Sequence, residues 1–255
     1  MENNEGENMT VEVILDMPYD FYNYIPRNKV FFLAQHYEAY NGTALMKFLK
    51  TKHIFLDNGA WPGDGGETME VKEYIKIADQ IHGTVVASDV LGDSKKSMEL
   101  ITDFNYHYTK RTNHIIFPLQ GRTISEYLGM YDYLSSLDVE GNNVFAISKG
   151  TRDMMLPDRH NALEAIFQHH DADIHGKIAR SFHFFGYHFG GLRWDNIVSI
   201  DTRFPIKYVL GDNYDRNYYY DLQWKDLTDQ QRIQIFHYVR QFDHAMDQNW
   251  DIDEL

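Results

Sequence analysis

The sequence predicts one α/β domain folded as an eight-stranded parallel (β/α)8 TIM barrel, and three observations carry that expectation. Eight short apolar runs recur along the chain, helical patterns separate most of them, and 255 residues suffice for such a barrel. The competing architecture is a doubly wound open sheet, whose Gly-x-Gly-x-x-Gly fingerprint after the first strand is absent.

Taken in order, residues 1–9 are polar and read as disordered. Residues 10–28 form an N-terminal extension, in which Thr10 to Asp16 alternates like a short strand lying over the bottom or side of the fold. The repeat then begins with a strand at Val30–Ala34 and a helix at Thr43–Lys50. A second strand, His53–Asp57, leads through a glycine-rich loop to a helix near Thr68–Ile81. Gly83–Asp89 is the third strand, with a helix from Ser94 to Lys110; Ile115–Gln120 is the fourth, with a helix from Ile124 to Leu137. Val144–Ser148 precedes a helix at Arg159–His169, and Ser181–Gly186 precedes a short turn around Leu192. Asn196–Asp201 and Ile206–Leu210 complete the strand count, and a helix from Thr228 to Asp247 closes the chain. The aromatic stretch 214–224 falls outside the repeat as an insertion or packing belt, and 250–255 is an acidic tail. No linker divides the chain, so 1–255 reads as one domain.

Composition narrows the chemistry. A 43% hydrophobic and 15% aromatic content argues for a packed core. The absence of cysteine excludes disulfides, iron–sulfur clusters and thiolate zinc. No run approaches the length of a membrane span, and Met1-Glu2-Asn3-Asn4-Glu5 lacks the order of a signal peptide, so the expected setting is the cytoplasm, with no membrane partner. A net charge of −14 speaks against a large nucleic-acid footprint but leaves room for a local basic patch.

In a parallel barrel, residues just past each strand crowd one mouth whatever their separation in sequence. Here that set is Asp57, Asn58, Gly59 and Trp61; Asp89; Gln120, Gly121 and Arg122; Lys149, Gly150 and Arg152; Gly186, Tyr187 and His188; Asp201 and Arg203. Each member has a plainer reading. A single Asp after a strand is as often the N-cap of the next helix, although Asp93-Ser94 offers a better cap than Asp89. Trp61 reads equally as a rim aromatic or a stacking platform, Gly59 and Gly121 as turn residues, and His183 as a hydrogen-bonded core histidine. Five strand ends bearing Asp, Asp, Gln, Lys-Gly and Asp are more than capping requires.

The order of these motifs resembles the tRNA-guanine transglycosylase superfamily, and more closely its compact phage and bacterial branch, the DNA 7-deazaguanine transglycosylases. Leu56-Asp57-Asn58-Gly59-Ala60-Trp61 is similar to the family's Asp-Ser-Gly-Gly/Ala-Phe/Tyr motif. Ala87-Ser88-Asp89-Val90-Leu91-Gly92-Asp93 resembles the compact branch's second acidic motif, and Pro118-Leu119-Gln120-Gly121 its Val-Gln-Gly element. Ala146-Ile147-Ser148-Lys149-Gly150 stands at the base-contacting strand end. His183-Phe184-Phe185-Gly186 is similar to His-Leu-Leu-Gly, and Ser199-Ile200-Asp201-Thr202-Arg203 holds the nucleophile position. The similarity spans roughly residues 30–212. Without cysteine the family's zinc subdomain is missing, Asn58 replaces the usual Ser, and the long basic surface that grips tRNA has no counterpart. These departures favour DNA over tRNA.

The resemblance implies a guanine-exchanging glycosyltransferase that needs no cofactor, with nucleic acid, a 7-deazaguanine base and other modification-pathway proteins as partners. Asp201 would be the nucleophile and Asp57 the general acid/base. Asp89, Gln120 and Gly121, with Lys149 and Gly150, would read the base edge beside Asn58, and Trp61 or Tyr187 would stack on it. Arg122, Arg152, Arg193, Arg203 and Lys207 would form a positive rim that guides phosphates. Two other readings stay open: a nucleoside or nucleotide N-glycosidase on the same barrel, and a non-catalytic subunit of a DNA-modification complex. Metal hydrolysis is disfavoured because the barrel's usual His-x-His after the first strand is missing, while carboxylate sites for Mg²⁺ remain compatible with the sequence.

Overall fold

Short apolar runs suit strands of a parallel sheet, which is covered on both faces, although a buried helix can share the pattern. In the computed structural model, which describes residues 12–60, 69–108, 113–137, 144–147, 159–171, 181–186, 197–211 and 219–247, eight short strands form one parallel sheet. The strands are β1 (Glu12–Leu15), β2 (Lys29–Leu33), β3 (His53–Asp57), β4 (Gly83–Val86), β5 (His114–Leu119), β6 (Val144–Ile147), β7 (Ser181–Phe184) and β8 (Ile197–Thr202). Their order, β1-β8-β7-β6-β5-β4-β3-β2, curls the sheet into a nearly closed barrel.

The helices are α1 (Tyr37–Tyr40), α2 (Ala44–Leu49), α3 (Val71–Ala78), α4 (Ser94–His107), α5 (Ile124–Ser136), α6 (Arg159–Asp171), α7 (Phe204–Leu210) and α8 (Asp229–Asp247). Several start where the sequence supplies an oxygen for the free N–H groups of the first turn. Thr43 caps α2 and Asp93 caps α4. Thr123 and Glu126 form a reciprocal capping box on α5.

The chain expected to lie outside the barrel is part of it. Glu12–Leu15 pairs in parallel with β8, with Ile14 opposite Asp201, and so becomes a barrel strand. Ile206–Leu210, expected as a strand, is instead α7. Pro205 fits a first helical turn because its missing N–H is not needed there, and Gly211 at φ 78° ends the helix. The run itself was ambiguous: Ile206, Val209 and Leu210 also satisfy an i, i+3, i+4 face.

β1 and β2 meet without a ladder, and tyrosines from a 3₁₀ turn at Tyr19–Asn23 join them. The Tyr22 hydroxyl donates to the Leu15 carbonyl at 2.5 Å and accepts from the Phe31 N–H at 2.9 Å. The Tyr19 hydroxyl accepts from the Leu33 N–H at 3.1 Å. At the other end of the seam, Lys29 pairs with Glu12. Buried backbone groups that a neighbouring strand would have satisfied thus find side-chain partners.

The alternation of side chains sorts the barrel wall into two faces. Phe182 meets Tyr131 of α5 and Phe167 of α6, so it faces the helices. Its neighbour His183 therefore points inward, where it packs 5.0 Å from the ring of Phe55 on β3. Phe31 also stacks on Phe55, at 5.8 Å. This interior layer forms the floor beneath the barrel mouth. The stretch expected as an aromatic insertion contributes packing: Tyr219, Tyr220 and Trp224 are buried, and Tyr220 stacks on Tyr19 at 5.0 Å. No helix among the described residues is long and apolar enough to cross a membrane.

Candidate functional site

Period-two alternation puts Asp57 one layer above Phe55, and Asp201 one layer above Ser199, at the carboxyl ends of β3 and β8. Asp89 follows β4 and Gln120 follows β5, so Asp57, Asp89 and Gln120 occupy three adjacent strand ends. Counting round the ring, β8 lies four strands from β4 in either direction, which sets Asp201 across the mouth from Asp89.

Asp89 is buried between two amides. Asn58 Nδ2 donates to one of its oxygens at 2.7 Å, and Gln120 Nε2 to the other at 2.5 Å. Gln120 is itself oriented, since its Oε1 accepts from the Gly92 N–H at 3.1 Å. Burial raises the Asp89 carboxyl from 3.8 to about 6, against the two amide hydrogen bonds that favour the ionised form. Asp89 is not a helix cap: Asp93 takes that role on α4 through the Lys96 N–H at 2.9 Å. Asn58 commits its remaining groups to the protein as well, donating to Ala87 O at 2.7 Å and accepting from Ala60 N at 2.9 Å. These bonds tie Asn58 to Asp89 and to the backbone on either side.

Asp57 accepts from the Gly59 N–H at 2.6 Å. That bond needs Gly59 in a left-handed conformation at φ 73°, and an added Cβ would fall 1.5 Å from Gln35 Nε2. Gly121 is confined less severely: a Cβ there would meet the Cβ of Glu126 at 2.8 Å.

Asp201 is 7% exposed and accepts from His183 Nε2 at 3.0 Å and from the Gly186 N–H at 3.1 and 3.2 Å. It caps no helix; α7 begins at Arg203 without a side-chain cap. His183 is the hydrogen-bonded core histidine that its apolar run implies, and its partner is the candidate nucleophile. Only the register of β7 on β8 reveals this, with His183 opposite Ser199.

Of the expected basic rim, Arg122, Arg203 and Lys207 lie among the described residues. Arg203 pairs with buried Asp16, donates to the Tyr220 hydroxyl at 2.5 Å and lies over the Tyr219 and Tyr220 rings. Lys207 is half-buried on α7, while Arg122 is exposed beyond β5. Asp16, just past β1, is a fourth strand-end acid, placed there because β1 pairs with β8 as a barrel strand. Trp61, Lys149, Gly150, Arg152, Tyr187 and Arg193 lie outside the described residues. Among the described residues, no three His, Asp or Glu side chains are grouped to hold a metal ion.

The fold and this mouth define a (β/α)8 barrel with acids and an amide at its strand ends. No family model matches the chain, and no curated protein matches it.

Proposed function

We propose that the protein is a base-exchange transglycosylase that replaces guanine in nucleic acid, DNA in preference to tRNA, with a 7-deazaguanine derivative. The observation that carries this reading is the pairing of two different acids across one mouth. Asp89 is buried and held by amides, as a carboxylate that reads a base edge would be, and Asp201 is held by donors and ends at the opposite strand. The motif resemblance supplies the assignment of roles.

In this scheme Asp201 attacks C1′ of the target nucleotide as the C1′–N9 bond breaks, giving a covalent glycosyl ester. Asp57 gives its proton to the departing guanine, then takes the proton from the incoming base, whose nitrogen attacks C1′ and releases Asp201. Ionised Asp89 accepts from the N1–H and 2-amino groups of guanine, with the Gln120 amide beside it. A base inside a duplex must first leave the stack.

The test is trapping. DNA oligonucleotides incubated with the protein and a 7-deazaguanine base should yield a mass-spectrometric adduct on Asp201, and Asp201→Asn should yield neither adduct nor exchange. An adduct on another residue, or turnover without one, removes the assignment. The tie between Arg203 and Asp16 favours a second reading, an N-glycosidase acting on a small nucleoside or nucleotide, because it takes one cation from the expected phosphate-binding rim. Base release from mononucleosides, with no incorporation into DNA, would select it.

A further inference from the structure

We infer that His183 is the positioning residue for Asp201: it donates Nε2–H to Oδ1 and leaves Oδ2 as the oxygen presented to the sugar. The inference rests on the reading of Asp201 as nucleophile and adds a residue and an oxygen to it.

His183 is fully buried, and both ring nitrogens are engaged. Nε2 lies 3.0 Å from Asp201 Oδ1, and Nδ1 lies 2.9 Å from Ser199 Oγ. An ionised carboxylate only accepts, so the proton between His183 and Asp201 must sit on Nε2. The Ser199 hydroxyl, which can donate or accept, holds Nδ1 on the other side of the ring and sets the ring angle. Phe55 at 5.0 Å and Phe185 at 4.8 Å hold the ring from two sides. The two rings and two hydrogen bonds hold the imidazole, and through it the Asp201 carboxylate.

The two carboxylate oxygens are not equivalent. Among the described residues, Oδ1 accepts from both His183 and Gly186 N, and Oδ2 from Gly186 N alone, at 3.2 Å. Attack by Oδ2 leaves the His183 hydrogen bond intact through ester formation, so the carboxylate need not reorient during the step. The Ser–His–Asp sequence of contacts does not make Ser199 a nucleophile. Ser199 lies two residues deeper along β8 than Asp201, so the acid is the member nearer the mouth.

Two measurements test this separately from the function. In protein carrying ¹⁵N-labelled histidine, the His183 signal, located by its loss in His183→Gln, should show a protonated Nε2 at neutral pH. Ser199→Ala should alter the Nδ1 resonance. An Nε2 without a proton overturns the hydrogen bond whatever the protein catalyses. In the exchange assay, His183→Leu removes the donor but fills the space, and should lower kcat by about 10- to 100-fold, the effect expected for one hydrogen bond to a charged group, with KM for DNA little changed. His183→Gln, which retains a donor, should recover most of the rate. Equal rates in His183→Leu and wild type, or equal losses in Leu and Gln variants that remain folded, overturn the positioning role and leave the nucleophile standing. No exchange by the wild-type protein overturns the nucleophile assignment and this role with it.

Discussion

The buried carboxyl of Asp89 should make the protein's stability depend on pH in a defined direction. A carboxyl displaced from 3.8 to about 6 in the fold is disfavoured as an anion there. At 1.36 kcal/mol per pH unit, the displacement corresponds to about 3 kcal/mol between its two protonation states. Between those two values the folded chain binds more protons than the unfolded one, so stability falls as pH rises and levels off above about 6. Other groups titrate in the same window, and Asp89→Asn provides the reference that removes only this one. The offset between the proteins is uninformative, because the new amide disturbs the bonds from Asn58 and Gln120; the change in that offset with pH isolates Asp89. Urea denaturation of both proteins at intervals from pH 3.5 to 7.5 should show the stability difference, wild type minus variant, declining by about 3 kcal/mol across the range. A level difference would mean that Asp89 titrates alike in both states, and the burial argument would fail. A rising difference would mean that the amide bonds outweigh desolvation.

Three other outcomes follow from single contacts. Tyr22→Phe strips partners from the Leu15 carbonyl and Phe31 N–H and should cost about 2–4 kcal/mol in urea denaturation, with native circular dichroism retained. Gly59→Ala must give up either its left-handed backbone or the space held by Gln35; a loss of about 1–3 kcal/mol and a fall in exchange rate are expected, the latter because the Asp57 turn is disturbed. Arg203→Met removes the guanidinium from buried Asp16 and should destabilise the fold by about 3 kcal/mol, while DNA affinity, measured by fluorescence anisotropy, stays near wild type; a selective loss of affinity would restore Arg203 to the nucleic-acid rim.

Much of the barrel was legible because its signals are local. His53–Asp57, Ile115–Leu119 and Phe182–Phe184 are apolar at most positions, and Asp93 and Thr123 announce the helices they cap. The error at Ile206–Leu210 arose where a run of five residues satisfies both the strand and the helix period, and Pro205 together with tertiary packing decided between them. Glu12–Leu15 was recognised as a strand but not as part of the barrel, since its partner, β8, lies nearly the whole chain away.

By itself the sequence determined the residue types at the strand ends and the alternation that turns Asp57, Ser199 and Asp201 inward, because both depend only on neighbours along the chain. Tertiary structure decided what each polar group touches. Asn58 and Gln120 converge on Asp89 from flanking strands, His183 reaches Asp201 across a register shift between β7 and β8, and Arg203 turns to Asp16 on β1. Those contacts join residues separated by 18 to 187 positions, and no local propensity specifies a pairing set by which strands lie side by side.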